Sequence, residues 1–213
     1  MTIEPFLAHR NAVALTEALA SRDDWLQVMN SGDKLFELDR KTRAEMRDEL
    51  QAEIDRTVYS TATRGFQYRY ETIRVPDEPE KRANSDDVLA AYASFLSKGE
   101  GRDFLRAVTS DEAIAFADVQ ATCYCPGDFL TRHDDFAEGK NRSSAHILSL
   151  SPEWRFEWGG LLLLHDEQAG EAVALLPVFN RMTLLRVPQT HSVGEVSRSA
   201  AAPRYSLTGW LRR

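Results

Sequence analysis

The chain has only two cysteines, Cys123 and Cys125, among its 213 residues. They stand two positions apart in a segment predicted to be extended, so both side chains point to one face and do not readily bridge each other. Two thiols cannot build a disulfide framework, and no second cysteine pair is present to complete a zinc site. We therefore expect reduced thiols and a cytoplasmic protein.

Long apolar runs are also missing. The longest, residues 161–164, is far too short to cross a bilayer, so no membrane partner is expected. The segment after Met1 lacks a basic stretch followed by an apolar core, so a signal peptide is not predicted.

Basic residues are fewer than acidic ones: the sequence has 26 Lys and Arg but 33 Asp and Glu, which gives a formal net charge of −7. A nucleic-acid binder is normally basic, so that class of partner is disfavoured. Hydrophobic residues make up 43% and charged residues 28%, which is ordinary for a globular protein. Length and composition together predict that residues 1–213 form a single domain.

The first part of the chain, residues 1–116, is predicted to be mainly helical with one or more strands. Asp39 is a candidate N-cap, and Gly99 and Gly101 are expected to end a helix. Apolar spacing and capping signals predict helices at residues 6–20, 38–59, 85–96 and 109–116, with a surface loop at 76–85.

Residues 65–75 alternate in the manner of a strand. Phe66, Tyr68 and Tyr70 share one face, and polar or charged side chains occupy most of the other. Because an aromatic stripe is more often core than binding surface, we interpret this face as packing.

The second part, residues 117–213, consists of short apolar or alternating runs separated by turn residues. This pattern is typical of a sandwich or barrel. We therefore predict an α+β fold: a jelly-roll core carrying the functional site, with the N-terminal helices packed on its outside. Strands are expected at residues 119–125, 145–150, 160–164, 171–176, 182–187 and 205–211.

A candidate metal site begins at His133 and Asp135. On an extended strand these two side chains point the same way, whereas Asp134 points to the other side. His191 follows a later predicted strand. Two imidazoles and one carboxylate suit Fe(II) and leave coordination positions open for O₂ and a second ligand.

A candidate acid-binding site lies at Arg204 and Ser206, which share a face if the segment is a strand. A guanidinium binds a carboxylate through two parallel hydrogen bonds, and a hydroxyl can add a third. These are the groups that the distal carboxylate of 2-oxoglutarate requires. Arg198 is the competing candidate, but its segment is predicted to be a loop, so we favour Arg204.

With these motifs in order, the sequence resembles the 2-oxoglutarate- and Fe(II)-dependent dioxygenases, in their prolyl-hydroxylase-like branch. Collagen-type prolyl hydroxylases usually have lysine at the position of Arg204, so the resemblance is to the arginine-bearing branch that includes ribosomal-protein prolyl hydroxylases. Some relatives in that branch carry two such domains in tandem, whereas this sequence holds one set of motifs. The segments that carry the resemblance are residues 66–70, 124–130, 133–135, 158–162, 191–193 and 204–210.

The resemblance implies a double-stranded β-helix in which His133, Asp135 and His191 bind iron and Arg204 binds 2-oxoglutarate. It also implies that Tyr124 hydrogen-bonds the co-substrate. The implied reaction uses O₂, with ascorbate as reductant. It hydroxylates proline or a prolyl residue and releases succinate and CO₂. The implied partner is a peptide, a protein or a free amino acid.

Two other readings use the same residues. A non-catalytic metal- or ligand-binding jelly roll would not need the arginine anchor, and a zinc hydrolase could use the same three ligands with a water. His146 and His165 have no convergent partners in the sequence and are interpreted as structural, with His146 as a candidate outer-shell residue. Trp154 and Trp158 are interpreted as packing aromatics.

Overall fold

The computed structural model describes residues 1–213, and its strands join into a 13-stranded antiparallel sheet. The strands are β1 (Thr2–Ile3), β2 (Leu26–Ser31), β3 (Lys34–Asp39), β4 (Tyr68–Arg74), β5 (Phe116–Ala117), β6 (Gln120–Tyr124), β7 (Phe129–His133), β8 (Arg142–Ser149), β9 (Leu162–Asp166), β10 (Glu171–Leu175), β11 (Arg181–Arg186), β12 (His191–Val193) and β13 (Arg204–Arg212). The helices are α1 (His9–Ser21), α2 (Arg40–Ala44), α3 (Asp48–Ala62), α4 (Pro79–Ala83), α5 (Val88–Ser97) and α6 (Gly99–Thr109).

The sheet has the main strand order β1-β11-β8-β13-β6-β4-β7-β12-β9-β10. It curls so that residues of β7, β9 and β12 and residues of β6, β8 and β13 line one cavity. The hairpin β2–β3 extends the sheet from β4, and β5 pairs with the end of β13. This arrangement confirms the predicted α+β jelly roll.

The main core lies between the outer face of the sheet and the helices. Leu19 of α1, Leu96 of α5 and Leu105 of α6 are fully buried there, together with Leu148 of β8 and Leu207 of β13. Alternation along β13 sends Leu207 to this core while Arg204 lines the cavity on the other face. The helices therefore cover the outside of the sheet, as predicted, and leave its inside for the site.

Several predicted elements of the first part are wrong. The expected helix at residues 38–59 is instead the end of β3 followed by α2 and the first turns of α3, although Asp39 does cap α2 by accepting a hydrogen bond from the Thr42 N–H at 2.8 Å. The hairpin β2–β3 was not predicted. Tertiary pairing of β2 with β4 decides this region, because strand formation depends on neighbours more than on propensity.

Three further differences between prediction and structure concern helices. Residues 76–85 contain the short helix α4 rather than only loop. The helix α5 ends at Ser97, just before Gly99 as predicted, but a new helix, α6, begins at Gly99, which was not predicted. No helix follows the capping-box sequence at residues 109–112: the chain turns there and Phe116–Ala117 pairs with β13. None of the helices combines the length and apolar character needed to cross a membrane.

Candidate active site

The two candidate histidines lie side by side on neighbouring strands. His133 is the last residue of β7, His191 is the first of β12, and the two are paired in register. Their ring centroids are 4.2 Å apart. Asp135 completes the group, and one ligand atom from each of the three side chains lies within 4.8 Å of the others. Residues remote in sequence thus meet at one point of the cavity wall.

Asp135 reaches the histidines by a different route from the one predicted. The strand ends at His133, so strand alternation cannot orient it. Instead Asp135 has the left-handed φ of 63°, which turns its carboxylate back toward the rings. Its neighbour Asp134 accepts a hydrogen bond from the Phe136 N–H at 3.0 Å.

Hydrogen bonds fix both imidazoles with one nitrogen facing the carboxylate. His133 Nδ1 lies 3.0 Å from the Thr131 carbonyl oxygen, and His191 Nδ1 lies 2.7 Å from the Gln189 carbonyl oxygen. A carbonyl only accepts, so each Nδ1 carries the proton and each Nε2 offers a lone pair. The Nε2 atoms are 3.4 and 3.5 Å from the Asp135 oxygens, too long for ordinary hydrogen bonds.

The charges of the group suit metal binding. Burial lowers the pKa of His191, with a further contribution from His133, so the ring is held neutral. Burial would raise the pKa of the Asp135 carboxyl, but the adjacent His133 and His191 together bring it below its usual value. Two imidazoles and a carboxylate are a donor set that fits Fe(II) and leaves positions open toward the cavity.

The cavity has a volume of about 740 Å³. Arg204 lies in its wall, only 2% exposed, and its Nε has no hydrogen-bond partner. Burial lowers its pKa, and no carboxylate of the chain forms an ion pair with it. A buried cation without an anion is costly, so this arginine is suited to an acidic ligand. The Oγ of Ser206, two residues on along β13, is fully buried and also unpartnered.

Arg198, the competing arginine, is exposed in the turn that follows β12 and does not line the cavity. The structure therefore brings Arg204 together with the three candidate ligands in one cavity and leaves Arg198 outside it. Ser206 is buried beside Arg204 on β13 but does not line the cavity.

Tyr124 lies between the arginine and the aromatic strand. The Arg204 Cζ is 5.3 Å from the centroid of the Tyr124 ring, which stacks on Tyr70 at 5.1 Å. Burial raises the pKa of Tyr124 well above its usual value and that of Tyr70 to about 12. Both phenols therefore stay protonated and can donate hydrogen bonds.

The predicted role of the aromatic face of β4 is wrong. Tyr68 and Tyr70 line the cavity and Phe66 is 47% exposed at its mouth. The opposite face is the buried one: Arg69 forms ion pairs with Asp55 and Asp128 there. Paired charges can be buried, so polarity alone misidentified the inner face.

Two site residues were not singled out from the sequence. Arg142 donates from Nη1 to the Asp135 carbonyl oxygen at 2.8 Å, and its Cζ lies 3.5 Å from the Trp210 ring centroid. Trp210 could have been found, because it shares the alternation of Arg204 and Ser206 on β13. Arg142 lies on a different strand and shares no such alternation with a predicted site residue. His146 of β8 is fully buried, and its Nε2 lies 2.9 Å from the Asp118 carbonyl oxygen.

These features define a class of site: a two-histidine, one-carboxylate metal centre with open positions and a buried arginine in a curled antiparallel sheet. The family comparison agrees, since residues 119–212 match the model of the 2OG-Fe(II) oxygenase superfamily, the oxygenases named for 2-oxoglutarate and Fe(II). Residues 119–212 are thus similar to that superfamily, and the relatives support the prolyl-hydroxylase-like resemblance of the sequence.

A curated relative, the mouse (Mus musculus) prolyl 3-hydroxylase OGFOD1, is 31% identical over 141 residues, which cover 63% of this chain. The matched part is 24% of the relative, so the chain spans about a quarter of the length of the curated protein it matches.

Two solved structures share the fold. A Trichoplax adhaerens prolyl hydroxylase in complex with a hypoxia inducible factor peptide fragment has a TM-score of 0.65 at 16% identity, covering 100% of this chain and 82% of that one. A Pseudomonas putida prolyl-4-hydroxylase has a TM-score of 0.54 at 17% identity, covering 95% and 98%. These matches confirm the double-stranded β-helix.

Proposed function

We propose that this chain is an Fe(II)- and 2-oxoglutarate-dependent dioxygenase that hydroxylates a prolyl residue in a peptide or protein, with succinate and CO₂ as co-products. One observation carries the proposal: His133, Asp135 and His191 converge in the same cavity that holds the unpaired, buried guanidinium of Arg204. A metal site alone, or an acid-binding site alone, would not require the other.

The metal would be held by Nε2 of His133, Nε2 of His191 and the carboxylate of Asp135. Their Nδ1 hydrogen bonds and the bond from Arg142 to Asp135 keep these donors in place. Outer contacts of this kind orient the ligands of metal sites. Iron(II), when bound, supplies O₂ activation and the oxidative decarboxylation of 2-oxoglutarate.

The co-substrate would be held by the protein as follows. Arg204 would form two parallel hydrogen bonds with its distal carboxylate, and Ser206 Oγ would donate a third. The phenol of Tyr124 would donate to the same molecule. Because these groups are buried, they would also keep water away from the reacting end.

The substrate end of the cavity favours a polypeptide over a free amino acid. Phe66 and Phe136 stand 47% and 68% exposed at the mouth, and Tyr68 lines the wall beside them. Exposed aromatic side chains at a cavity mouth offer contact area beyond that of one amino acid. The prolyl hydroxylase relatives, one of them bound to a peptide fragment, support a prolyl target.

We further propose that residues 1–213 act as a single domain with ascorbate as reductant, and that the protein works in the cytoplasm. Support for the domain comes from the unbroken sheet that joins β1 to β13. Support for the compartment comes from the free thiols Cys123 and Cys125, which suit a reducing environment.

The test is a coupled assay with Fe(II), 2-oxoglutarate, ascorbate, air and a panel of proline-containing peptides, alongside free proline. We expect succinate in step with the gain of one oxygen atom by a peptide, and neither product under strict anaerobiosis. Absence of succinate with every substrate would contradict the proposal and favour a binding protein. Activity that persists without oxygen in a zinc-loaded sample would favour a hydrolase.

A further inference from the structure

A pair of thiols lies directly behind the candidate co-substrate site. Cys123 is in β6 and fully buried, while Cys125, just past the end of that strand, is partly exposed. Their Sγ atoms are 3.9 Å apart. The two thiols thus share the outer face of the strand, whereas Tyr124 between them points into the cavity beside Arg204.

The surroundings of the two thiols disfavour a second metal site. Glu71, paired with Cys123 across β4 and β6, could approach both sulfurs, but its carboxylate is taken by Arg40 at 2.6 Å and by Arg43. With its carboxylate held by two arginines, Glu71 is not free to ligate a metal together with the two sulfurs.

Proton sharing distinguishes the two sulfurs. The hydrogen bond from Cys123 lowers the pKa of Cys125 more than burial raises it. The same hydrogen bond and complete burial raise the pKa of Cys123. The partly exposed sulfur is therefore the nucleophile, and the buried one holds the proton.

We propose that Cys123 and Cys125 are an oxidisable dithiol that a hydroperoxide converts to a disulfide, and that this closure weakens co-substrate binding through Tyr124. The Cys125 thiolate, whose proton has passed to solvent, attacks the peroxide and the O–O bond breaks. Cys125 becomes a sulfenic acid, and the leaving alkoxide or hydroxide takes a proton from solvent to become alcohol or water. The Cys123 sulfur then attacks the Cys125 sulfur, the S–O bond breaks, and hydroxide departs with the Cys123 proton as water. In sum, two thiols lose two electrons to one hydroperoxide.

The coupling to the cavity is geometric. Residues two apart on an extended strand have Cα atoms about 6.5–7 Å apart, at or beyond the upper limit for a disulfide. Closure must therefore bend the backbone at Tyr124. The register of β6 with β13 ends at the pair Tyr124–Arg204, so Cys125 is outside the ladder and its backbone is held instead by two hydrogen bonds with Asp128 in the following turn. The effect on 2-oxoglutarate rests on the proposed function.

The test treats the full-length chain, without added iron, with hydrogen peroxide followed by catalase. We expect the peptide containing both cysteines to lose two hydrogen atoms in mass and both maleimide-reactive thiols, and dithiothreitol to restore them. After Fe(II) is added, the oxidised protein should show a KM for 2-oxoglutarate raised by about tenfold or more, since small displacements of binding groups have effects of this order.

The variants Cys125→Ser and Cys123→Ala provide controls, and Cys125→Ser is the milder change because that side chain is partly exposed. Each should form no disulfide and keep an unchanged KM after peroxide. Two results would contradict the proposed disulfide: separate oxidation of the two sulfurs to sulfinic acids, or stoichiometric zinc bound by the reduced cysteine pair. A disulfide that leaves KM unchanged would overturn the coupling. Failure of the reduced protein to make succinate would instead count against the proposed function, while the mass measurement still decides the dithiol.

Discussion

Arg142 holds the backbone of Asp135: its Nη1 donates to the Asp135 carbonyl oxygen over 2.8 Å. Asp135 has a φ of 63°, which non-glycine residues seldom adopt, so this conformation needs support from its surroundings. We predict that Arg142→Met raises the Fe(II) concentration needed for half-maximal succinate formation by about 10- to 100-fold, the usual effect of losing an outer contact of a metal site. Direct iron-binding measurements should show the same loss.

Arg132→Gln is the matched control. Arg132 is next to His133 in sequence, but its side chain is exposed and pairs with Glu167 at the surface. Its loss should leave the iron requirement nearly unchanged, because exposed ion pairs contribute little. Equal effects of the two substitutions would contradict a positioning role for Arg142.

Asp135→Asn should abolish iron binding and turnover while the protein remains folded. An asparagine tolerates the left-handed backbone but replaces the anionic ligand with a neutral amide. The neighbouring variant Asp134→Asn should retain both properties, because the Asp134 side chain accepts a hydrogen bond from the Phe136 N–H and is not one of the three candidate ligands. Both variants are compared by iron content, succinate formation and circular dichroism. Full turnover by Asp135→Asn would contradict the assignment of Asp135 as a metal ligand.

Arg204→Ala should raise the KM for 2-oxoglutarate by about 10- to 100-fold, the scale of a lost charge-assisted, bidentate hydrogen bond. Arg198→Ala should leave it unchanged, since that residue is exposed outside the cavity. Steady-state titrations of 2-oxoglutarate at saturating iron decide between them. If Arg198→Ala raised the KM and Arg204→Ala did not, Arg198 would be the residue that binds the distal carboxylate of 2-oxoglutarate.

Asp128 makes stability depend on pH. It is 2% exposed, and burial raises its pKa to about 7 despite a hydrogen bond from the Cys125 N–H and the Arg69 ion pair. The unfolded carboxyl has a pKa of about 3.9, so between about pH 4 and 7 the folded state holds a proton that the unfolded state has lost. The free energy of unfolding should therefore fall as pH rises through this window, by at most about 1.4 kcal/mol per pH unit, and level off above it.

Urea unfolding of the native protein and of Asp128→Asn at several pH values tests this effect. The variant cannot ionise, so the stability of the native protein relative to the variant should decrease from pH 5 to pH 7. A relative stability that rises with pH would mean that the Arg69 ion pair outweighs burial.

Gly209 allows β13 to approach the chain at Asp118. A Cβ there would lie 2.0 Å from the Asp118 carbonyl oxygen, whereas one at Gly65 would meet nothing within 4 Å. Gly209→Ala should therefore destabilise the protein by about 1–3 kcal/mol, the range for overpacking, and Gly65→Ala should have little effect. Urea midpoints measure both, and equal midpoints would show that the backbone at Asp118 can yield.

The second part of the fold was predictable because its strands are short, apolar and separated by clear turn residues. Residues 182–187, for example, became β11 (Arg181–Arg186) with a shift of one residue. The first part was less predictable. The segment that forms β2 and β3 owes its strand structure to pairing with β4, and such long-range pairing leaves only a weak local pattern.

By itself, the sequence determined the chemical groups available: two histidines, a carboxylate and an arginine in an order that resembles a known family. The tertiary structure decided how they meet. Asp135 turns toward the histidines through a left-handed backbone held by Arg142, which strand alternation could not indicate. The tertiary structure also places the aromatic face of β4 against the cavity and buries the charged residues Glu71 and Arg69 on the opposite face. The physical reason is that their partners come from residues 40, 43, 55 and 128, and only folding places those side chains within reach.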